Sequence, residues 1–233
     1  MDFYKICRKM DKKGYELKIY PEFKLGHFND FIVRGKSFYG IWNPETGLWS
    51  TNEYAVREVV DKELNEYYEN ARDKFTNCDI QVAWMSSYNS KSWRSYCSWI
   101  KDLPDNYHQL DNKLIFQNTE VKREDYASKR LSYSLAEGNY DAFDEIIGTL
   151  YEPEERAKLE WAIGAVVSGD SVDIQKFIVL YGEAGAGKST ILNIIQQLFQ
   201  GYYTSFEAKA LASNNNSFST EVFKSNPLVA IQH

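Results

Sequence analysis

Eight consecutive residues, Gly182-Glu183-Ala184-Gly185-Ala186-Gly187-Lys188-Ser189, fit the phosphate-binding pattern G-x-x-x-x-G-K-[ST] at every fixed position. Each residue type has a distinct task in that chemistry. Glycines leave no Cβ in the way when backbone N–H groups curl around phosphate oxygens. The lysine reaches the β- and γ-phosphates of a nucleoside triphosphate, and the serine hydroxyl holds Mg²⁺. Lys188 and Ser189 are therefore the expected catalytic residues, with Ser189 also the expected Mg²⁺ ligand. The expected cradle runs through Gly182, Glu183, Ala184, Gly185, Ala186, Gly187, Lys188, Ser189 and Thr190.

Such a loop needs a strand before it and a helix after it. Phe177-Ile178-Val179-Leu180-Tyr181 is a short apolar, β-branched run of the kind that forms a strand buried on both faces. Beyond the loop, Ile191, Leu192, Ile194, Ile195 and Leu198 recur at helical spacing, and Gly201 stands where a chain leaves a helix. The positive end of that helix favours an anion. After the turn Asn226-Pro227, Leu228-Val229-Ala230-Ile231 reads as a second strand. In ATPases with this loop such a strand carries the carboxylate that positions Mg²⁺ and the attacking water. Here Gln232 and His233 follow it, and the acid ahead of it, Glu221, reads as part of a short helix opened by Ser219 or Thr220. The 57 residues from Phe177 to His233 are too few for a complete doubly wound sheet. The expectation is an N-terminal fragment of a longer protein that retains the cradle and lacks the hydrolytic half.

The 233 residues are 43% hydrophobic, enough for real cores rather than a disordered chain. No apolar run approaches a membrane span, Trp161–Val167 being the longest candidate, and the first residues lack the apolar centre of a signal peptide. A cytoplasmic protein without a membrane partner is expected. Cys7, Cys78 and Cys97 form no C-x-x-C pair, and with His27, His108 and His233 they suggest neither a disulfide framework nor a zinc site. Residues 1–40 hold nine Lys or Arg against five Asp or Glu, although the whole chain is at −6. That balance disfavours wrapping duplex DNA, yet it leaves room for a basic N-terminal face or a ring channel gripping one strand.

Phe3, Ile6, Cys7 and Met10 are spaced as one face of a helix, which would project Lys5, Arg8, Lys9, Lys12 and Lys13 as a basic surface, for guiding single-stranded DNA or simply for solvation. Tyr15, Leu17 and Ile19 alternate as a strand, and 31–33, 38–42 and 48–50 read as a small antiparallel sheet with turns at 34–37 and 43–47. A helix capped by Thr51 or Asn52 follows, with Val56, Val59, Val60, Leu64, Tyr67 and Tyr68 on its apolar stripe. Trp84, Tyr88, Trp93, Tyr96, Trp99 and Tyr107 lie among Lys91, Arg94 and Lys101, a mixture that either stacks bases or packs a core, with packing favoured. Leu114-Ile115-Phe116 reads as a short strand, Asp141–Leu150 as a helix with Phe143, Ile146 and Ile147 inward, and Pro153 as the start of another helix ending near Gly169.

The arrangement resembles the superfamily 3 helicases, particularly the phage and poxvirus-type primase-helicases. The residues that carry the likeness are Tyr39-Gly40-Ile41-Trp42 with Gly47-Leu48-Trp49, then Leu159-Glu160-Trp161-Ala162-Ile163-Gly164-Ala165, Gly182 to Thr190, and the apolar strand after Pro227. The resemblance implies an α+β N-terminal module over 1–125, a helical linker or collar over 126–172, and the first, truncated part of a P-loop α/β (AAA+-like) ATPase domain over 173–233. It implies a ring, usually hexameric, that hydrolyses ATP with Mg²⁺ to move along single-stranded DNA during viral or phage replication in the host cytoplasm. Primase and other replication proteins would be its partners. Two alternatives stay open: another P-loop DNA motor such as a packaging ATPase, and a nucleotide-binding module that recruits replication proteins without hydrolysis.

Overall fold

A computed structural model describes residues 2–84, 90–207, 209 and 221–232, and its contacts divide the chain into two compact units, Met1–His108 and Gln109–His233. Both mix helices with small sheets, an α+β arrangement. Among the described residues no helix is long and apolar enough to cross a membrane.

In the first unit, β1 (Tyr4–Met10) runs antiparallel to β2 (Glu16–Phe23), and β6 (Asp79–Val82) lies parallel on the other side of β2. A second antiparallel sheet holds β3 (Phe31–Arg34), β4 (Ser37–Asn43) and β5 (Leu48–Ser50). The β3–β4 turn is tight because Gly35 and Lys36 both take positive φ, 58° and 57°. The Asp105 carboxylate accepts the N–H groups of Gly35 and Lys36, each at 2.8 Å. Helix α1 (Tyr54–Lys74) buries Val56, Val60, Leu64 and Ala71, and the Asn52 side chain accepts the Tyr54 N–H at its start. Helix α2 (Lys91–Asp102) begins at Ser90, whose hydroxyl accepts the Trp93 N–H.

The aromatic-rich segment goes into the core. Trp84, Tyr96 and Trp99 are buried with Phe3 and Phe31, and the Trp99 ring lies 5.2 Å from Phe31 and 5.5 Å from Phe23. Tyr88 falls outside the described residues. The N-terminal helix is a correction: residues 4–10 are a strand, registered from Tyr4 opposite Phe23 to Met10 opposite Leu17. A spacing of three and four residues fits a helix, but pairing with the alternating Leu17 and Ile19 of β2 decides the outcome. The expected basic helix face disperses with it. Lys5 bonds Glu22 at 2.7 Å, Arg8 lies over the Tyr67 ring, and Lys12 and Lys13 sit in the β1–β2 turn.

The second unit contains α3 (Asp141–Leu150), α4 (Pro153–Ser168), the short α5 (Ser171–Ile174), α6 (Lys188–Leu198) and the parallel pair β7 (Tyr203–Phe206) and β8 (Val229–Gln232). Pro153 opens α4 and Gly169 closes it at φ 86°. The division after His108 differs from an expected module to 125 and a separate linker over 126–172. Leu114, Phe116 and Leu131 share a buried cluster with Phe199 and Tyr202, and Ile147 and Leu159 share another with Ile191. Residues 109–172 thus supply the core against which α6 is buried.

Three local expectations are corrected here. Leu114-Ile115-Phe116 is buried but forms no ladder; Ile115 O accepts the Leu131 N–H, and the Gln117 N–H donates to Tyr133 O. Ile146 faces outward, since the buried stripe of α3 passes through Ile147. Phe177–Tyr181 belongs to no sheet among the described residues, and Phe177 and Tyr181 are 87% and 99% exposed. A β-branched run becomes a strand only when another strand meets its backbone groups.

Candidate nucleotide-binding site

Of the parts the sequence pattern calls for, the loop and the helix after it are present, and the strand before it is not formed among the described residues. Gly187 caps α6 at φ 73° and Lys188 is its first residue. Gly185 and Gly187 both adopt the left-handed conformation, φ 87° and 73°, which a side chain would strain. Gly187 has a second constraint, because a Cβ there would come within 2.7 Å of the Leu150 side chain at the end of α3.

Helix α6 is firmly seated. Ile191 is fully buried against Ile147 and Leu159, and Phe199 and Tyr202 are buried just beyond its C-terminal end. The Tyr202 hydroxyl donates to Lys129 O at 2.7 Å and accepts the Ile115 N–H at 3.3 Å. Tyr133 donates its hydroxyl to Leu198 O. The exposed loop therefore stands on a buried base.

Lys188 bends back over the loop, its Nζ donating to Gly182 O at 2.8 Å and Glu183 O at 2.7 Å. Glu183 O also accepts the Ala186 N–H. These bonds fold the ammonium back onto the loop's own carbonyls, and the first N–H groups of a helix such as α6 lack partners within it. Ser189 and Thr190 are exposed in the first helical turn, as are Glu183, Ala184 and Ala186 in the loop. A cation, a hydroxyl and a row of backbone donors at a helix N-terminus form an anion site that fits a polyphosphate. The residues also fit Mg²⁺ in one respect: a single hydroxyl suffices when phosphates and water complete the octahedron.

The acidic partner looks different. Glu221 begins a short 3₁₀ turn and its carboxylate bonds Lys224 Nζ at 2.7 Å. Its expected capping residues, Ser219 and Thr220, lie outside the described residues. The four residues of β8, Val229, Ala230, Ile231 and Gln232, carry no carboxylate.

The elbow between α3 and α4 escaped the sequence reading. Leu150 touches Gly187, and Tyr151 packs in the same apolar cluster as Ile191 and Leu180, the residue two before Gly182. The sequence signals there, Pro153 and the end of an amphipathic helix, announce a turn without saying what the turn touches. Comparison with family models, curated proteins and solved structures finds no match to this chain.

Proposed function

We propose that the loop Gly182–Thr190 and α6 bind ATP with Mg²⁺, and that the chain is the nucleotide-binding part of a DNA helicase motor acting in viral or phage replication. The observation that carries the nucleotide reading is Lys188 Nζ held on the loop carbonyls beside the open N-terminus of a helix capped by a left-handed glycine. Lys188 then meets the β- and γ-phosphates, Ser189 the Mg²⁺, and the loop amides the remaining phosphate oxygens. The helicase reading adds the resemblance in Tyr39–Trp42, Gly47–Trp49 and Leu159–Ala165. With it come a homo-hexamer on single-stranded DNA, primase as a replication partner, and the cytoplasm of the host cell.

The test is Mg²⁺-dependent ATP binding by the chain and its Lys188→Ala variant, followed by phosphate release with and without single-stranded DNA. Charge-assisted hydrogen bonds of this kind contribute about 1.5–3 kcal/mol, so the variant should bind roughly ten- to a hundredfold more weakly. Equal affinity in the two proteins would remove the nucleotide reading. A second reading, binding without hydrolysis, is favoured by Glu221, whose carboxylate is paired with Lys224. ATP binding with no phosphate release under any DNA condition would select it.

A further inference from the structure

The stretch around α2 mixes rings and cations in the sequence, and folding separates them. Tyr96 and Trp99 are buried in the core of the first unit with Trp93 packed against it, while Lys91, Arg94, Ser95, Ser98 and Lys101 are exposed. At about 100° per residue, Lys91, Arg94 and Lys101 fall within roughly 80° of arc, and the stripe they draw is about 15 Å long. No acid interrupts it before Asp102, the last residue of the helix. Among the described residues, the ion pairs of the first unit engage Lys5, Lys18, Arg57, Lys62 and Arg72 and none of these three cations.

Two ordinary explanations fall short. The unit is not basic as a whole: Met1–His108 holds sixteen Lys or Arg against sixteen Asp or Glu, so the stripe is a local gathering of charge. Nor does the order of charges stabilise the helix, because Lys91 and Arg94 stand towards the positive end of its dipole and Asp102 at the negative end, each where its charge is disfavoured. A row of unpaired cations suits a partner with a row of anions. The short serines between them let such a partner come close, and the planar fork of Arg94 can take two oxygens of one phosphate. Stacking is not on offer, since Tyr96 and Trp99, whose rings could have held bases, are in the core.

We infer that the exposed face of α2, through Lys91, Arg94 and Lys101, holds the sugar–phosphate backbone of a single nucleic acid strand and leaves its bases unread. Three cations on a neutral unit match the charge of one strand better than the doubled charge density of a duplex. The surface belongs to the first unit, and the inference does not rest on nucleotide binding at Gly182–Thr190.

The test is a salt titration of the full chain against a fluorescent oligo-dT strand, without ATP. Each phosphate contact with a single strand contributes about 0.7 to the slope of log affinity against log salt. Lys91→Gln, Arg94→Gln and Lys101→Gln together should therefore flatten that slope by about 2 and weaken binding roughly a hundredfold near 0.1 M salt. The urea midpoint of this triple variant should be unchanged or higher, because two cations leave the positive end of α2; a loss of binding that comes with a lower midpoint would make the cations structural and overturn the inference. Lys9→Gln, Lys12→Gln and Lys13→Gln remove the same charge from the β1–β2 hairpin and should keep the wild-type slope. Equal flattening in that variant would make net charge, not the stripe, responsible. Oligo-dA and an abasic strand should bind as oligo-dT does, and a strong preference for strands with bases would overturn the backbone reading. Polyglutamate that displaces the strand at equal charge would give the face to an acidic protein segment instead. A wild-type chain that binds no strand removes the inference and leaves ATP binding at the loop to its own test.

Discussion

The two units bury their apolar residues by different means. Met1–His108 gathers Phe3, Phe23, Phe31, Trp84, Trp93, Tyr96 and Trp99 into one continuous cluster between sheet and helices. Gln109–His233 divides its interior into smaller groups, one under α4 and the C-terminal end of α6, another between α3, α4 and the start of α6. It also leaves Phe177, Val179 and Tyr181 in solvent. Large rings in mutual contact give the first unit one shared aromatic core. In the second, cohesion depends on a few buried tethers, and the loop proposed to bind nucleotide lies at the surface.

The largest expected effect probes the first unit. Trp99→Ala removes a nearly buried ring that contacts Phe3, Phe23, Phe31 and Tyr96 and donates its Nε1–H to Lys24 O. It should cost about 3–5 kcal/mol in urea unfolding. A loss below about 1 kcal/mol would mean that the cluster is less cohesive than its contacts imply.

Tyr202→Phe asks the matching question of the second unit. The hydroxyl bridges Ile115 and Lys129 from a fully buried position, and its removal leaves the Ile115 N–H without that acceptor. About 1–3 kcal/mol should be lost, observed as a lower unfolding midpoint with an unchanged slope. An unchanged midpoint would show that the tether is dispensable.

The smallest effect is a pH dependence. The N–H groups of Lys36 and Gly35 hold the Asp105 carboxyl below the usual carboxylate range. A group depressed in the folded state stabilises above its unfolded pKa, near 3.9, and loses that contribution as pH falls through the folded value. Asp11, Glu22 and Glu45 are depressed in the same unit, by backbone N–H groups or lysine partners. Unfolding midpoints measured from about pH 6 down to about pH 2 should fall on the acid side, and Asp105→Asn should flatten that fall. A variant with the wild-type profile would assign the acid sensitivity to the other carboxylates.

Much of the second unit was legible because its signals are local. Pro153 and Gly169 mark the two ends of α4, the stripe of α3 ends at Leu150, and the G-x-x-x-x-G-K-[ST] run places the start of α6 at Lys188. The first unit shows what local signals leave out. Phe3, Ile6, Cys7 and Met10 satisfy a helical period, and only the pairing with β2, across a turn, makes them a strand. The same gap explains Phe177–Tyr181, whose composition announces a strand that no described neighbour completes. It explains the elbow too: no spacing within 148–153 points to Gly187, which lies far along the chain and meets Leu150 only after α3 and α6 have packed.

Lys188 has a consequence beyond its charge. Its ammonium spans the loop from helix to carbonyls, a strut across the ring it belongs to. An arriving anion must compete for that ammonium with Gly182 O and Glu183 O, so binding is an exchange of partners rather than a simple gain. Two things vanish together when the side chain is cut back: the attraction for the ligand and the brace that keeps the loop in shape. The affinity lost in Lys188→Ala therefore measures their sum, and inorganic anions of increasing charge would separate them, since attraction grows with charge and bracing does not.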